Sequence, residues 1–240
     1  MKTAFITGAS GGIGSEIAKR FHADGFAVAL QYHTNQQGVL DAVSGFSDDP
    51  PFLCVQADLR DPASVDALID TVHCRLGSIS VLVNCAGVAL PQTLFSDTTD
   101  EDYRRVFDTN VLGMMRVTKA FLPDLRVNQG AIVNLSSIWG IGGGSCEVLY
   151  AASKAAVIGF TKSLSKELGP SGVTVNCVAP GLIDTAMNTH LSSAAKEAFR
   201  SDTPLNRLGT PSDVAEAVLY LAKARFVTGQ VLCCDGGYLN

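Results

Sequence analysis

The sequence is poor in charge, in long apolar runs and in clustered metal ligands, and each shortage removes a class of function. Charged residues make up only 17% of the 240 and the formal net charge is −5. Without a clustered Lys/Arg surface, a nucleic-acid partner is not expected, because binding a phosphate backbone requires one. No window reaches the roughly 18 apolar residues of a membrane helix. Met1-Lys2-Thr3 runs into a short apolar strand without the anatomy of a signal peptide. The expectation is a cytoplasmic protein with no membrane partner. Seven cysteines is an odd number, none falls in C-x-x-C spacing, and Cys233 and Cys234 are adjacent. Free, buried thiols in a reducing compartment are therefore expected, not a disulfide framework. No Cys/His cluster has metal-site spacing, so no metal is expected. A Pro- or Ser-rich linker and an internal repeat are also missing, which leaves a single domain over 1–240.

What is present is 47% hydrophobic residues, enough for one sizeable core, in an alternating pattern. Strand-length apolar runs lie at Ala4–Thr7, Ala27–Gln31, Phe52–Gln56, Val81–Asn84, Ala131–Leu135, Thr174–Val178 and Gln230–Cys233. Amphipathic helical patterns lie between them near Ile13–Ala23, Pro62–Arg75, Glu101–Asp124, Leu149–Glu167 and Pro211–Lys223. Near-continuous hydrophobicity in the strands implies burial on both faces, hence a parallel sheet covered on each side. Asp61-Pro62 and Thr210-Pro211 each supply an N-cap and a first-turn proline. The pattern predicts an α/β, doubly wound parallel sheet of about seven strands with helices on both faces.

Thr7-Gly8-Ala9-Ser10-Gly11-Gly12-Ile13-Gly14 follows the first strand and opens the first helix. Glycines let the backbone approach a pyrophosphate, and free N–H groups at a helix start attract its charge. A glycine-rich turn alone is a weak signal; after the first strand of an alternating chain it marks a Rossmann-like dinucleotide site. Tyr150 and Lys154 are four apart in a helical segment and so share a face. A cation near a phenol that otherwise titrates near 10 favours the phenolate. Ser137 follows the fifth strand, at the edge of the sheet where ligands bind in such folds.

The spacing of the glycine loop resembles the short-chain dehydrogenase/reductase family, and the resemblance extends over the whole chain. Ser137, Tyr150 thirteen residues on, Lys154, and Asn110 in Phe107-Asp108-Thr109-Asn110 match the family's catalytic positions. The resemblance implies hydride transfer between a nicotinamide and a carbonyl carbon. In that scheme Tyr150 is the proton donor, Ser137 orients the oxygen, Lys154 lowers the Tyr150 pKa and holds the nicotinamide ribose, and Asn110 positions a water linking Lys154 to solvent. Gly8, Ser10, Gly11, Gly12, Ile13 and Gly14 are implied to cradle the cofactor. Asp58 and Leu59 are implied at its adenine, Asn84, Ala86 and Gly87 beside it, and Pro180, Gly181, Ile183 and Thr185 along its nicotinamide. Cys85 replaces the second Asn of the family's Asn-Asn-Ala-Gly. Val227-Thr228-Gly229-Gln230 and Asp235-Gly236-Gly237 match its C-terminal signature. A homotetramer is also implied.

The second strand ends in Gln31-Tyr32-His33-Thr34-Asn35, with no acidic residue to grip a ribose 2′-hydroxyl, which leans toward NADP(H) over NAD(H). Against that lean, Gly11 stands where NADP-using relatives often carry Arg. Thr34, Asn35 and His33 are the candidates for a 2′-phosphate. The chain most resembles the 3-oxoacyl-acyl-carrier-protein reductases, which implies a 3-oxoacyl thioester as substrate, free or carrier-linked. The two arginines by which those enzymes dock the carrier beside the active-site entrance are here Asn128 and Ser171, with Arg126, Lys162 and Lys166 as neighbouring cations. Ser136-Ser137-Ile138-Trp139-Gly140 and Ser145-Cys146-Glu147-Val148-Leu149-Tyr150 resemble instead a Gram-positive subgroup that reduces 5-aminopentanone groups on elongation factor P. A carboxylate with an indole suits a cationic amine, which makes Glu147 and Trp139 substrate candidates. The alternatives for those two are a helix cap and a packing residue. A small ketone or sterol is a further substrate alternative, and a cofactor-sensing module without turnover is the alternative of another class. Met187–Thr203, including His190 and Phe199, reads as a mostly helical substrate lid within 185–205.

Overall fold

Alternation along each strand sends side chains to two faces, and two layers of helices take them up. The computed structural model describes residues 1–185, 188–189 and 191–239. Seven strands form one parallel sheet: β1 (Thr3–Ile6), β2 (Ala27–Tyr32), β3 (Phe52–Gln56), β4 (Val81–Asn84), β5 (Ala131–Leu135), β6 (Thr174–Pro180) and β7 (Val231–Cys234). Their order is β3-β2-β1-β4-β5-β6-β7. The chain order reverses between β1 and β4, so the crevice at the carboxyl ends opens there, where ligands of doubly wound sheets bind.

On one face Ile6, Leu30, Val83 and Val133 pack against α1 (Gly12–Ala23) and α9 (Pro211–Lys223) through Ile17, Phe21, Val214 and Val218. On the other, Phe5, Leu82, Ile132 and Val175 meet α3 (Pro62–Leu76), α5 (Met114–Val127) and α7 (Val148–Leu168) through Leu68, Phe121 and Leu164. The rings of Phe5 and Phe121 sit 4.9 Å apart. Side chains one step apart on β1 thus belong to separate cores, as a period of two requires.

Four expectations change. Burial on both faces holds for the central strands but not for the edges. Only Val55 of β3 is buried and β7 is half-exposed throughout, because an edge strand has a neighbour on one side only. The helix expected over Glu101–Asp124 is divided into α4 (Asp100–Phe107), a π-helical turn (Asp108–Gly113) and α5. A helix absent from the hydrophobic pattern, α2 (Gln36–Val43), forms after β2, where Asn35 accepts from the Gly38 N–H at 3.0 Å as its N-cap. The cysteines are free but not uniformly buried: Cys177 is, whereas Cys74 and Cys233 are exposed. The short α6 (Trp139–Gly142) and α8 (Ser193–Asp202) complete the helices used below. The lid candidate His190 and the first lid residue, Met187, lie outside the described residues. Among the described residues, no helix is long and apolar enough to cross a membrane.

Candidate active site

The glycine loop is shaped by contacts that leave no room for a side chain at Gly8 or Gly14. Gly8 has φ +66°, and a Cβ there would lie 2.7 Å from Ala86 Cα; one on Gly14 would lie 2.3 Å from the Gly8 carbonyl oxygen. Thr7 Oγ1 accepts from the Cys85 and Ala86 N–H groups at 3.0 Å each, tying the loop to the end of β4. Gln31, buried on β2, accepts from the Gly8 N–H at 2.9 Å and donates to the Ala57 carbonyl at 2.7 Å. Helix α1 starts at Gly12 with no side-chain cap, so its amino end keeps N–H groups for an external anion. Ser10, Gly11 and Ile13 lie on this same turn, and Ile13 also lines a cavity at the carboxyl ends of the strands. A close-approach glycine loop before an uncapped helix start fits the pyrophosphate of a dinucleotide.

The loop's neighbours are placed unevenly. Asn35, besides capping α2, donates to the Ser10 carbonyl at 3.4 Å, whereas Thr34 is exposed on the same edge. Asp58 carries Arg60 on its carboxylate, with Nη2 at 2.7 Å, and this holds its pKa down at about 2. Leu59 is buried in the core behind it. Asn84 points inward, donating to Thr118 Oγ1 and to Asn134 Oδ1 at 3.0 and 2.8 Å. Thr185 touches the helix start, since a Cβ on Gly12 would be 3.0 Å from its Cγ2. Pro180, Gly181, Ile183 and Thr185 line the cavity that Ile13 borders, on the side of β6.

That cavity, about 460 Å³, brings together Ser137, Trp139, Glu147, Tyr150, Lys154 and Phe199 from three chain segments. The Ser137 hydroxyl lies near enough to the Tyr150 phenol to favour phenolate, and it accepts from the Trp139 N–H at 3.1 Å. Lys154 is buried, lies 5.6 Å from the centre of the Tyr150 ring and donates to the Leu135 carbonyl at 2.9 Å. An ammonium has three donors, so two remain for groups entering the cavity. Asn110, on the π-helical turn, grips Val88 through both its N–H and its carbonyl at 2.8 and 2.9 Å, and donates to Ser153 Oγ at 3.0 Å. Lys154 Nζ and Asn110 Oδ1 both face Gly87, where a Cβ would lie 3.2 and 3.3 Å from them.

The fall in the Tyr150 pKa expected from its spacing to Lys154 is outweighed in the fold. Burial is the largest influence and pushes the phenol up to about 12; Glu147 and Cys85 add to the rise and Ser137 opposes it. Tyr150 is half-buried and lines the cavity. Burial also lowers the Lys154 pKa and drives the Cys85 thiol up to about 11, which keeps that thiol protonated.

At the far wall Trp139 stands edge-on to Phe199 of α8 and to Tyr238, at 6.4 and 6.2 Å between ring centres. Phe199 and Tyr238 stack at 4.2 Å. Tyr238 escaped the sequence reading, as did Gln31 and Arg60, because no local pattern ties them to the site. Glu147 occupies the N-cap position of α7, yet its carboxylate caps no backbone N–H there. Asn128 does not flank the cavity within the chain. It donates to the Ile79 carbonyl at 2.9 Å, at the amino end of β4, and Ser171 likewise lies just before β6. Arg126 is paired with Glu167 at 4.0 Å.

The chain is similar to known proteins along nearly its whole length. A family model described as enoyl-(acyl carrier protein) reductase matches residues 8–239. A 3-oxoacyl-[acyl-carrier-protein] reductase of Chlamydia muridarum is 39% identical over 98% of this chain and 96% of its own. The solved structure of ElxO with NADP bound superposes with a TM-score of 0.90 at 34% identity, over 99% of this chain and 98% of that one. A short-chain dehydrogenase/reductase of Brucella melitensis, described as a glucose/ribitol dehydrogenase, gives 0.93 at 32% identity over 99% of this chain and 96% of that one.

Proposed function

Because the chain belongs to the short-chain dehydrogenase/reductase family and is an NAD(P)-dependent oxidoreductase of it, we propose that it reduces a 3-oxoacyl thioester with NADPH. The carrying observation is the meeting of Ser137, Tyr150 and Lys154 on one wall of a cavity with an aromatic opposite wall. NADP in the ElxO structure and the lack of a carboxylate at the end of β2 support the choice of cofactor.

The nicotinamide, when bound, supplies the hydride. Tyr150 holds a proton on its phenol oxygen and gives it to the carbonyl oxygen as charge develops there. Ser137 donates to that same oxygen and orients it. The buried Lys154 ammonium stabilises the phenolate left behind and offers its remaining N–H groups to ribose hydroxyls. Asn110 ties Val88 to Ser153, which holds the Tyr150–Lys154 turn of α7 in register. The segment 185–205 acts as the substrate lid, with Phe199 reaching the aromatic wall and Lys196 pairing with Asp184 at 3.4 Å. The one domain over 1–240 works as a cytoplasmic homotetramer; the exposed Phe226 and half-exposed β7 are surfaces that a partner copy would cover, and a sizing measurement tests this.

Glu147 favours a second reading. It is the one carboxylate lining the cavity among the described residues, and with Trp139 it suits an amino-ketone such as 5-aminopentanone on elongation factor P. Glu147→Gln then impairs amino-ketone reduction and spares a neutral 3-oxoacyl thioester; equal losses on both defeat that reading. The test of the whole is a reductase assay with each cofactor on a 3-oxoacyl thioester, an amino-ketone and simple ketones. Tyr150→Phe is expected to lose about 10²- to 10⁴-fold in kcat. Near wild-type turnover in that variant overturns the mechanism, and cofactor binding without turnover on any ketone favours a cofactor-sensing module.

A further inference from the structure

Beyond β3 lies an arginine that the sequence pattern does not single out. Arg60 is fastened to Asp58 by its Nε at 2.9 and 3.1 Å, its Nη2 at 2.7 Å and its backbone N–H at 2.9 Å. His33 approaches the same carboxylate from β2, with Nε2 at 3.6 Å. Gln56 donates to the His33 carbonyl at 2.8 Å and so joins the ends of β2 and β3. From α5, Arg116 donates to the Arg60 carbonyl at 2.9 Å and pins the backbone that carries the guanidinium.

This corner is the carboxyl end of β2, next to the glycine loop, where the adenosine ribose of a dinucleotide lies in doubly wound folds. A 2′-phosphate arriving here meets no basic residue in Thr7–Gly14, and His33 alone in Gln31–Asn35. Gln31 is engaged inward, Asn35 caps α2, and neither brings a positive charge. The Asp58 pairing occupies the Nε and Nη2 side of the guanidinium. Its planar fork has a further nitrogen, and bidentate phosphate recognition is what that geometry serves. Arg60 is 45% exposed and needs no core rearrangement to take a second anion.

We infer that Arg60, oriented by Asp58, binds the 2′-phosphate of NADP(H) and supplies the selectivity for it that the glycine loop lacks. The inference rests on the NADPH reading above, and the two fail separately. Titration calorimetry on the full chain with NADPH, NADH, 2′,5′-ADP and 5′-AMP tests both. Tighter wild-type binding of NADPH than NADH supports the cofactor reading. Equal affinity overturns that reading, and the inference with it, before any variant is made. Arg60→Gln is then expected to weaken NADPH and 2′,5′-ADP about 10- to 100-fold, as loss of a charge-assisted hydrogen bond implies. NADH and 5′-AMP should change by less than about threefold, the scale of an ordinary surface substitution. Arg60→Lys, which keeps the charge without the fork, falls between. Equal weakening of NADPH and NADH overturns the inference alone, as does unchanged NADPH affinity; the unfolding midpoint of each variant verifies that the fold is intact.

Discussion

In the free enzyme the Tyr150 phenol should keep its proton to about pH 10 and beyond. Burial lifts it from the ordinary 10 to about 12, which disfavours phenolate by about 3 kcal/mol. At pH 10 an ordinary tyrosine is half ionised, while Tyr150 would be ionised to only about 1%. The chain has five tyrosines, so the signal is isolated as the phenolate absorbance of wild type minus that of Tyr150→Phe. The expected difference at pH 10 is near zero, against half an equivalent for an unperturbed residue. A raised pKa on an acid widens the range of its neutral form. Proton donation in the reducing direction should therefore leave kcat/KM flat from about pH 6 to 9 as far as Tyr150 is concerned, because that parameter reports the free enzyme. Alcohol oxidation needs the phenolate and should climb about tenfold per pH unit below the pKa. Ser137→Ala should move the ionisation further up and Glu147→Gln should bring it down, since the first removes a group that favours phenolate and the second a charge that opposes it. Extra phenolate in wild type at about pH 9 would refute the argument that burial dominates.

Other expectations follow from single contacts. Gly14→Ala drives a Cβ to 2.3 Å from the Gly8 carbonyl oxygen and should cost about 1–3 kcal/mol in a urea melt. Gly11→Ala meets that oxygen only at 3.5 Å and should stay within about 0.5 kcal/mol. Asn110→Ala strips the partners of Val88 and Ser153. Its expected cost is about 1–3 kcal/mol in denaturation with a fall in kcat, and unchanged stability would show that those bonds carry no weight. Phe199→Ala opens the aromatic wall and should raise KM more than it lowers kcat; a pure kcat effect would place the side chain nearer the reacting atoms than described.

Much of the site was legible because its signals are local. The strand-to-helix turn at Gly8–Gly14 and the four-residue spacing of Tyr150 and Lys154 each sit in one stretch of chain, where backbone geometry decides what neighbours what. Ser137 needed only its place after β5. Asp58 was legible as a position but not in its state, since only the folded corner sets Arg60 and His33 against its carboxylate. Asn128 and Ser171 could be matched by alignment, yet their place at the amino ends of the strands follows from the sheet.

What the residues determined alone is what short range and periodicity govern: alternating strands and helices, two faces to a central strand, a glycine-rich turn between the first strand and the first helix, and a cation one helical turn from a phenol. Tertiary structure decided the quantities that depend on distant partners and exclusion from water. It made β3 and β7 the half-covered edges and broke the long helix at Asn110. It also joined Trp139, Phe199 and Tyr238 into one wall. It turned the expected fall in the Tyr150 pKa into a rise, because desolvation is set by everything packed around the phenol, whereas helical spacing places only one charge beside it.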